Sequence, residues 1–258
     1  MEFLDELRSL GFVNFFKGFL FGILYIFNIN NMVIKKPIFN IKPLDGSGKK
    51  LTKNNPFYEA DFPNVIALGK RKSGKSTVIY NIIKELMKDK RFFLVIFSKN
   101  AYHDPVYLKL AKDYPNTRIW MSANVKDDFE QMTEVLKNNQ DPKQFFICVL
   151  DDVSKDLRNK DLAYHYLISR NQKCVNLIGA HFLKNIDPST RGNIDVYLLF
   201  KNQLRALEEL IEELDIHFDP DLLKQAYLHS TKEDHGFCTI DLEAGTVRNG
   251  FGKTFKIF

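Results

Sequence analysis

Cysteine is scarce: Cys148, Cys174 and Cys238 are the only three, far apart and without any paired spacing. That excludes a disulfide framework and a cysteine-based zinc site, and it points to a reducing, cytosol-like compartment. Charge of one sign is also thin. The formal excess is +5 over 258 residues, which fits a polyanion partner such as DNA but is common in proteins that never touch nucleic acid. The N-terminal apolar stretch reads as a poor signal peptide. The apolar stretch at 10–27, LGFVNFFKGFLFGILYIF, follows Glu2, Asp5 and Glu6 rather than a basic segment, and no small-residue cleavage site ends it. No internal repeat organises the chain.

What is present is globular: 45% of residues are hydrophobic and 27% charged, enough for one sizeable core. Three regions are expected. Residues 1–31 hold the apolar segment, which approaches the ~20 residues that span a bilayer but is interrupted by Asn14 and Lys17. Three readings stay open for it: membrane contact through 10–27, which is the less favoured; a helix packed on a partner or on the body; or a translated leader upstream of a true start at Met32. Residues 32–55, with Pro37, Pro43, Gly46, Gly48 and several lysines, read as an extended arm or linker. Residues 56–258 form the main domain.

Within that domain apolar runs alternate with helical patterns. Strands are expected at 64–68, 92–97, 118–121, 145–150, 175–180 and 194–200, with helices over 75–88, 127–137, 161–169, 203–214 and 221–228. Continuous apolar strands separated by helices imply an α/β fold with a mostly parallel sheet covered on both faces. Two final strands, 237–242 and 246–251, joined across Glu243-Ala244-Gly245, read as a C-terminal hairpin.

The run Gly69-Lys70-Arg71-Lys72-Ser73-Gly74-Lys75-Ser76 stands between the strand at 64–68 and the helix from 75, the context a phosphate-binding P-loop (Walker A) requires. Gly69 and Gly74 allow the tight turn that aims amide hydrogens at phosphates, and the helix N-terminus adds its partial positive charge. Lys75 neutralises phosphate charge during transfer, Ser76 offers a hydroxyl to Mg²⁺, and Thr77 lies near the α-phosphate. Arg71 and Lys72 raise the local potential. The expected ligands are ATP and Mg²⁺.

A P-loop needs a carboxylate at a neighbouring strand end, a Walker B acid, and the apolar run 145–150 delivers Asp151-Asp152. Asp151 suits the Mg²⁺ partner. Asp152 stands where a general base for the attacking water is expected. His181 ends the run 175–180, at the strand edge that faces nucleotide in such sheets. Arg170 and Arg191 are both candidates for a guanidinium acting on a neighbouring subunit's nucleotide. A P-loop nucleotide kinase would add an arginine-rich lid, and no lid arginines cluster here. A GTPase would read guanine through Asn-Lys-x-Asp, but Asn159-Lys160-Asp161-Leu162 carries Leu at the deciding position. A competing reading from another class is a membrane-associated assembly scaffold that uses nucleotide as a structural switch.

The order of these signals resembles the DNA-packaging ATPases of poxviruses, other large DNA viruses and virophages, in the FtsK-HerA superfamily of P-loop NTPases. The resemblance rests on residues 69–76, on Val149-Leu150-Asp151-Asp152, and on Ser169-Arg170-Asn171. It continues in the strand ending at His181, in Ile186-Asp187-Pro188-Ser189-Thr190-Arg191-Gly192-Asn193-Ile194-Asp195, and in Gly236-Phe237-Cys238-Thr239-Ile240-Asp241. Relatives commonly carry Gln at the position of His181 and often His at that of Asn171. The resemblance implies a three-layer RecA/FtsK-like domain in which one strand is inserted between the P-loop strand and the acidic strand. It further implies a homo-oligomeric ring, hexameric or pentameric, that uses ATP hydrolysis to drive double-stranded DNA into a viral capsid. The setting it implies is the host cytoplasm at the site of virus assembly, or the virion.

Overall fold

The structure is a computed structural model that describes residues 62–88, 92–115, 117–141, 144–153, 165, 166, 169, 172–186, 188–213 and 218–256. The segments at 1–31 and 32–55 lie outside the described residues, as does most of the helix expected at 161–169, of which residues 165, 166 and 169 are helical.

Among the described residues nine strands form one sheet in the order β3-β2-β4-β5-β1-β6-β7-β8-β9. The first six are β1 (Asn64–Leu68), β2 (Phe92–Phe97), β3 (Ile119–Ser122), β4 (Phe145–Asp151), β5 (Cys174–Ala180) and β6 (Val196–Phe200), and all pair in parallel. β7 (Phe237–Asp241), β8 (Thr246–Asn249) and β9 (Thr254–Phe255) add antiparallel to the β6 edge. β5 is the strand inserted between β1 and β4, as expected. The β7–β8 hairpin is present, but its second strand stops at Asn249 because Gly250, at φ 56°, turns the chain away.

Side chains alternate across the sheet with period two, and each face carries its own core. On one face Val65, Ala67, Ile96, Val149, Leu177 and Leu198 meet α1 (Lys75–Leu86) and α2 (Pro105–Asp113). α1 buries Val78, Ile79, Ile82, Ile83 and Leu86 along one stripe, each contributing roughly 1.5–3 kcal/mol of apolar burial. On the other face Ile66, Leu68, Phe97, Leu150, Ile178 and Leu199 meet α3 (Val125–Lys137), α5 (Leu204–Glu213) and α6 (Pro220–Ser230). A short α4 (Pro188–Arg191) precedes β6. The result is a three-layer α/β domain.

A buried polar chain crosses the amino-terminal edge of this sheet. Thr133 Oγ1 lies 3.1 Å from His165 Nδ1, and His165 Nε2 is 3.0 Å from Asn176 Oδ1. Asn176 donates to Asn64 Oδ1 at 2.6 Å, while the Asn64 N–H donates to Asp195 at 2.7 Å. Asp195 therefore belongs to the loop before β6, which shortens the strand expected from 194. Burial holds the His165 imidazole down at about 4, opposed by the Asn176 hydrogen bond.

Candidate nucleotide-binding site

Parallel pairing brings the carboxyl ends of β1, β4, β5 and β6 to one edge. Leu68 pairs with Ala180 and Leu199, and Asp151 pairs with Gly179. Gly69, Asp152, His181 and Lys201 therefore leave the sheet side by side.

Residues 69–76 turn sharply from β1 into α1. The Gly69 N–H donates to Ala180 O at 3.1 Å, and the Ser73 N–H closes back onto Lys70 O at 3.2 Å. Lys72 and Gly74 both have left-handed backbones, φ 65° and 103°. A Cβ on Gly69 would overlap the Ser73 hydroxyl and crowd Phe200, so that position requires glycine. Gly74 is the N-cap residue of α1 and supplies no side-chain cap, which leaves the first-turn N–H groups aimed outward for an anion. Lys70, Arg71 and Lys72 are exposed, and Ser76 and Thr77 are half-buried on the first turn.

Lys75 is buried. Its Nζ donates to Gly69 O at 2.9 Å and Lys70 O at 3.2 Å. Burial pulls the ammonium below the usual lysine range, while the charges of Asp151 and Asp152 act in the opposite direction.

Asp151 is 3% exposed. Its Oδ2 accepts from Ser76 Oγ at 2.9 Å and from Tyr107 Oη at 2.6 Å, while Oδ1 is buried without a hydrogen-bond partner among the described residues. Burial raises this carboxyl above the usual range; the Tyr107 and Ser76 hydrogen bonds lower it, Asp152 raises it and Lys75 lowers it. A buried carboxylate with one oxygen unpartnered and the other accepting from the Ser76 hydroxyl is an oxygen donor set that fits Mg²⁺, which takes one or two carboxylates and completes its shell with phosphates and water.

Asp152 follows with a left-handed backbone, φ 55°, a costly conformation for a side-chain-bearing residue. Its Oδ1 lies 2.9 Å from His181 Nε2, and His181 Nδ1 lies 3.1 Å from Gly69 O. The imidazole thus bridges the acidic strand end to the first residue of the loop. Gln203 Nε2 donates to His181 O at 3.2 Å, and Tyr227 Oη, which donates to Phe200 O, accepts from the Gln203 N–H.

The arginines part company with this cluster. Arg191 donates to both carboxylate oxygens of Glu213 at 2.6 Å, and its carbonyl accepts from Tyr197 near the start of β6, so it sits toward the sheet edge opposite its own P-loop. Arg170 lies outside the described residues. Three participants have no place in the sequence reading: Tyr107, Gly179 and Gln203. Tyr107 sits on α2, whose start is nonetheless marked by Asp104, which caps Val106 N–H at 2.8 Å, and by Pro105 at the first helical position.

The fold has counterparts among known proteins. The chain is similar to the solved structure of the genome packaging NTPase B204 from Sulfolobus turreted icosahedral virus 2 in complex with AMP, at 14% identity and TM-score 0.55, covering 77% of this chain and 99% of that one. The complex of the same NTPase with sulfate gives 14% identity and TM-score 0.57 over 77% and 98%. B204, the DNA-packaging ATPase from Sulfolobus turreted icosahedral virus, gives 13% and 0.56 over 76% and 98%. At these identities the likeness establishes the fold. No curated protein sequence matches the chain. The family model described as Poxvirus A32 protein matches residues 49–236, most of the chain, and the chain belongs to that family.

Proposed function

We propose that this chain is an ATP-hydrolysing motor that translocates double-stranded viral DNA into a preformed capsid. The observation that carries the hydrolytic part is the convergence of Lys75, Ser76, Asp151 and the Asp152–His181 pair at one sheet edge. Membership of the Poxvirus A32 family, and the fold shared with a genome packaging NTPase solved with AMP, ATP-gammaS and AMPPCP, support the packaging role.

Residues 69–74 and the first-turn amides of α1 receive the phosphates, with Lys75 released from its loop carbonyls to the β- and γ-phosphates and Thr77 near the α-phosphate. Ser76 and Asp151 hold Mg²⁺, which supplies charge neutralisation at the terminal phosphate. Asp152 takes the proton of the attacking water, oriented by His181, whose ring is anchored on Gly69 O. A guanidinium from a neighbouring subunit, Arg170 or Arg191, completes the charge stabilisation in a homo-oligomeric ring, hexamer or pentamer. Basic loops hold the DNA through its phosphates, without sequence preference. The site of action is the place of virus assembly in the host cytoplasm. Among the described residues no helix is long and apolar enough to cross a membrane, and the segment 10–27 lies outside them.

The test is phosphate release from ATP with Mg²⁺ across a salt series, with and without linear double-stranded DNA. The motor reading expects stimulation by DNA that weakens steeply as salt rises. ATP binding without turnover under all conditions would favour the nucleotide-switch scaffold.

A further inference from the structure

Asp151 takes one contact from outside both the phosphate loop and the acidic pair. Its Oδ2, which accepts from Ser76 on α1, also accepts at 2.6 Å from the hydroxyl of Tyr107 on α2.

Resting on the Ser76 and Asp151 metal site proposed above, we infer that Tyr107 is a positioning residue of that site: its hydroxyl sets the orientation in which the Asp151 carboxylate receives Mg²⁺.

Packing alone does not account for a tyrosine here. α2 buries only Tyr107 and Leu110, and Tyr107 is fully enclosed in the apolar layer between the sheet and α1. A phenylalanine ring would fill the same space, and the chain uses 23 of them. A hydroxyl carried into such a layer must find an acceptor. The acceptor it meets is the carboxylate at the end of β4.

That carboxylate is confined on its other side as well. Oδ1 lies over Gly179, where a Cβ would overlap it, while Oδ2 is held by donors from two different helices. The terminal torsion of an aspartate is broad when unrestrained, so with the phenol hydroxyl removed Ser76 alone would hold Oδ2 and the group could turn. Mg²⁺ demands near-ideal octahedral geometry and registers such a turn.

Tyr107 is itself braced. Tyr102, at the entry to α2, donates its hydroxyl to Met121 O on β3, and Asp104 caps the first turn. At the far end of the helix Asp113 accepts from the Tyr80 hydroxyl of α1 at 2.6 Å. The helix that carries Ser76 and the helix that carries Tyr107 are therefore tied to each other, and outer partners that orient a metal's carboxylate are worth about 10–100-fold in metal affinity.

The experiment measures the affinity of the full chain for AMPPCP by calorimetry, in EDTA and in Mg²⁺. Wild type, Tyr107→Phe, Asp151→Asn and the double variant are compared below the lowest melting midpoint of the set; Tyr107→Phe keeps the ring that the core needs. The expected result is that Mg²⁺ tightens binding to wild type and that Tyr107→Phe binds as wild type does in EDTA. The factor gained from Mg²⁺ should fall by about tenfold or more in Tyr107→Phe, and Tyr107→Phe should cost nothing further in the Asp151→Asn background. An undiminished Mg²⁺ factor in Tyr107→Phe, equal weakening with and without Mg²⁺, or a further loss on top of Asp151→Asn each overturns the assignment and leaves the metal site standing. Wild type that binds AMPPCP no tighter in Mg²⁺ than in EDTA overturns the metal site as well.

Discussion

Gly179 stands opposite Asp151 across the β4–β5 ladder, and the Asp151 carboxylate occupies the space that a side chain at 179 would fill: a Cβ there would overlap Asp151 Oδ1 and press on Ile79. The carboxylate can therefore fold over β5 toward Ser76 only because its neighbour has no side chain. Replacement Gly179→Ala is expected to destabilise the domain by about 1–3 kcal/mol through overpacking. It should also lower ATP turnover on the order of 100-fold, because a small displacement of a reacting group is amplified in rate. Thermal melting and steady-state phosphate release read the two effects; a variant with native turnover would show that the Asp151 position is not what the chemistry needs.

Asp151 works against stability while it serves the site. Its carboxyl is raised by burial, so between the ordinary carboxylate range and its raised folded value the native state holds a proton that the unfolded chain has lost. Stability from this group consequently falls as pH rises through that window and is flat above it. The neutral isostere in Asp151→Asn keeps an acceptor for Ser76 and Tyr107 without the buried charge. In Mg²⁺-free buffer the variant is expected to melt no lower than wild type at neutral pH, with the gap closing as pH falls toward 4, and to lose turnover on the order of 10²–10³-fold. Melting curves over a pH series check it; a variant much less stable than wild type at pH 7 would contradict the placement.

The Asp152–His181 contact predicts a graded series. Asp152→Asn should lower kcat by about 10²–10⁴-fold with ATP affinity little changed, as expected for loss of a general base. His181→Ala should lower kcat by a smaller factor, and His181→Gln should recover much of it, because an amide N–H can still be donated to Asp152. Equal loss in the Ala and Gln variants would indicate that the ring supports packing rather than Asp152.

The sequence discloses most of this fold because strands buried on both faces are written as unbroken apolar runs. Phe92–Phe97 has the bounds its residues suggest, and the P-loop announces itself by local chemistry. What escapes is whatever depends on contact between distant segments. Tyr107 lies on α2, where only Tyr107 and Leu110 are buried, too few to set a helical period. The requirement for glycine at 179 arises from a partner strand, and His235 meets Ser73 from 162 positions away. β9 has two residues, too few to show alternation.

His165 yields a prediction remote from the site. Its imidazole is fully buried and held at about 4, below the ordinary histidine value of about 6.5, so the unfolded chain binds the extra proton first. Stability from the neutral ring is complete above about 6.5 and is lost as pH falls toward 4, by about 3 kcal/mol. Urea unfolding at pH 7 and pH 4.5 should show this loss in wild type and a shallower one in His165→Gln. Equal slopes would mean the ring is not sealed in the core.

The most direct test of the central claim is phosphate release from ATP and Mg²⁺ by wild type and Lys75→Ala, each with and without linear double-stranded DNA. The account predicts turnover by the wild type that DNA stimulates and that Lys75→Ala abolishes. Turnover that survives in Lys75→Ala, or a wild type that binds ATP and never hydrolyses it, would contradict it.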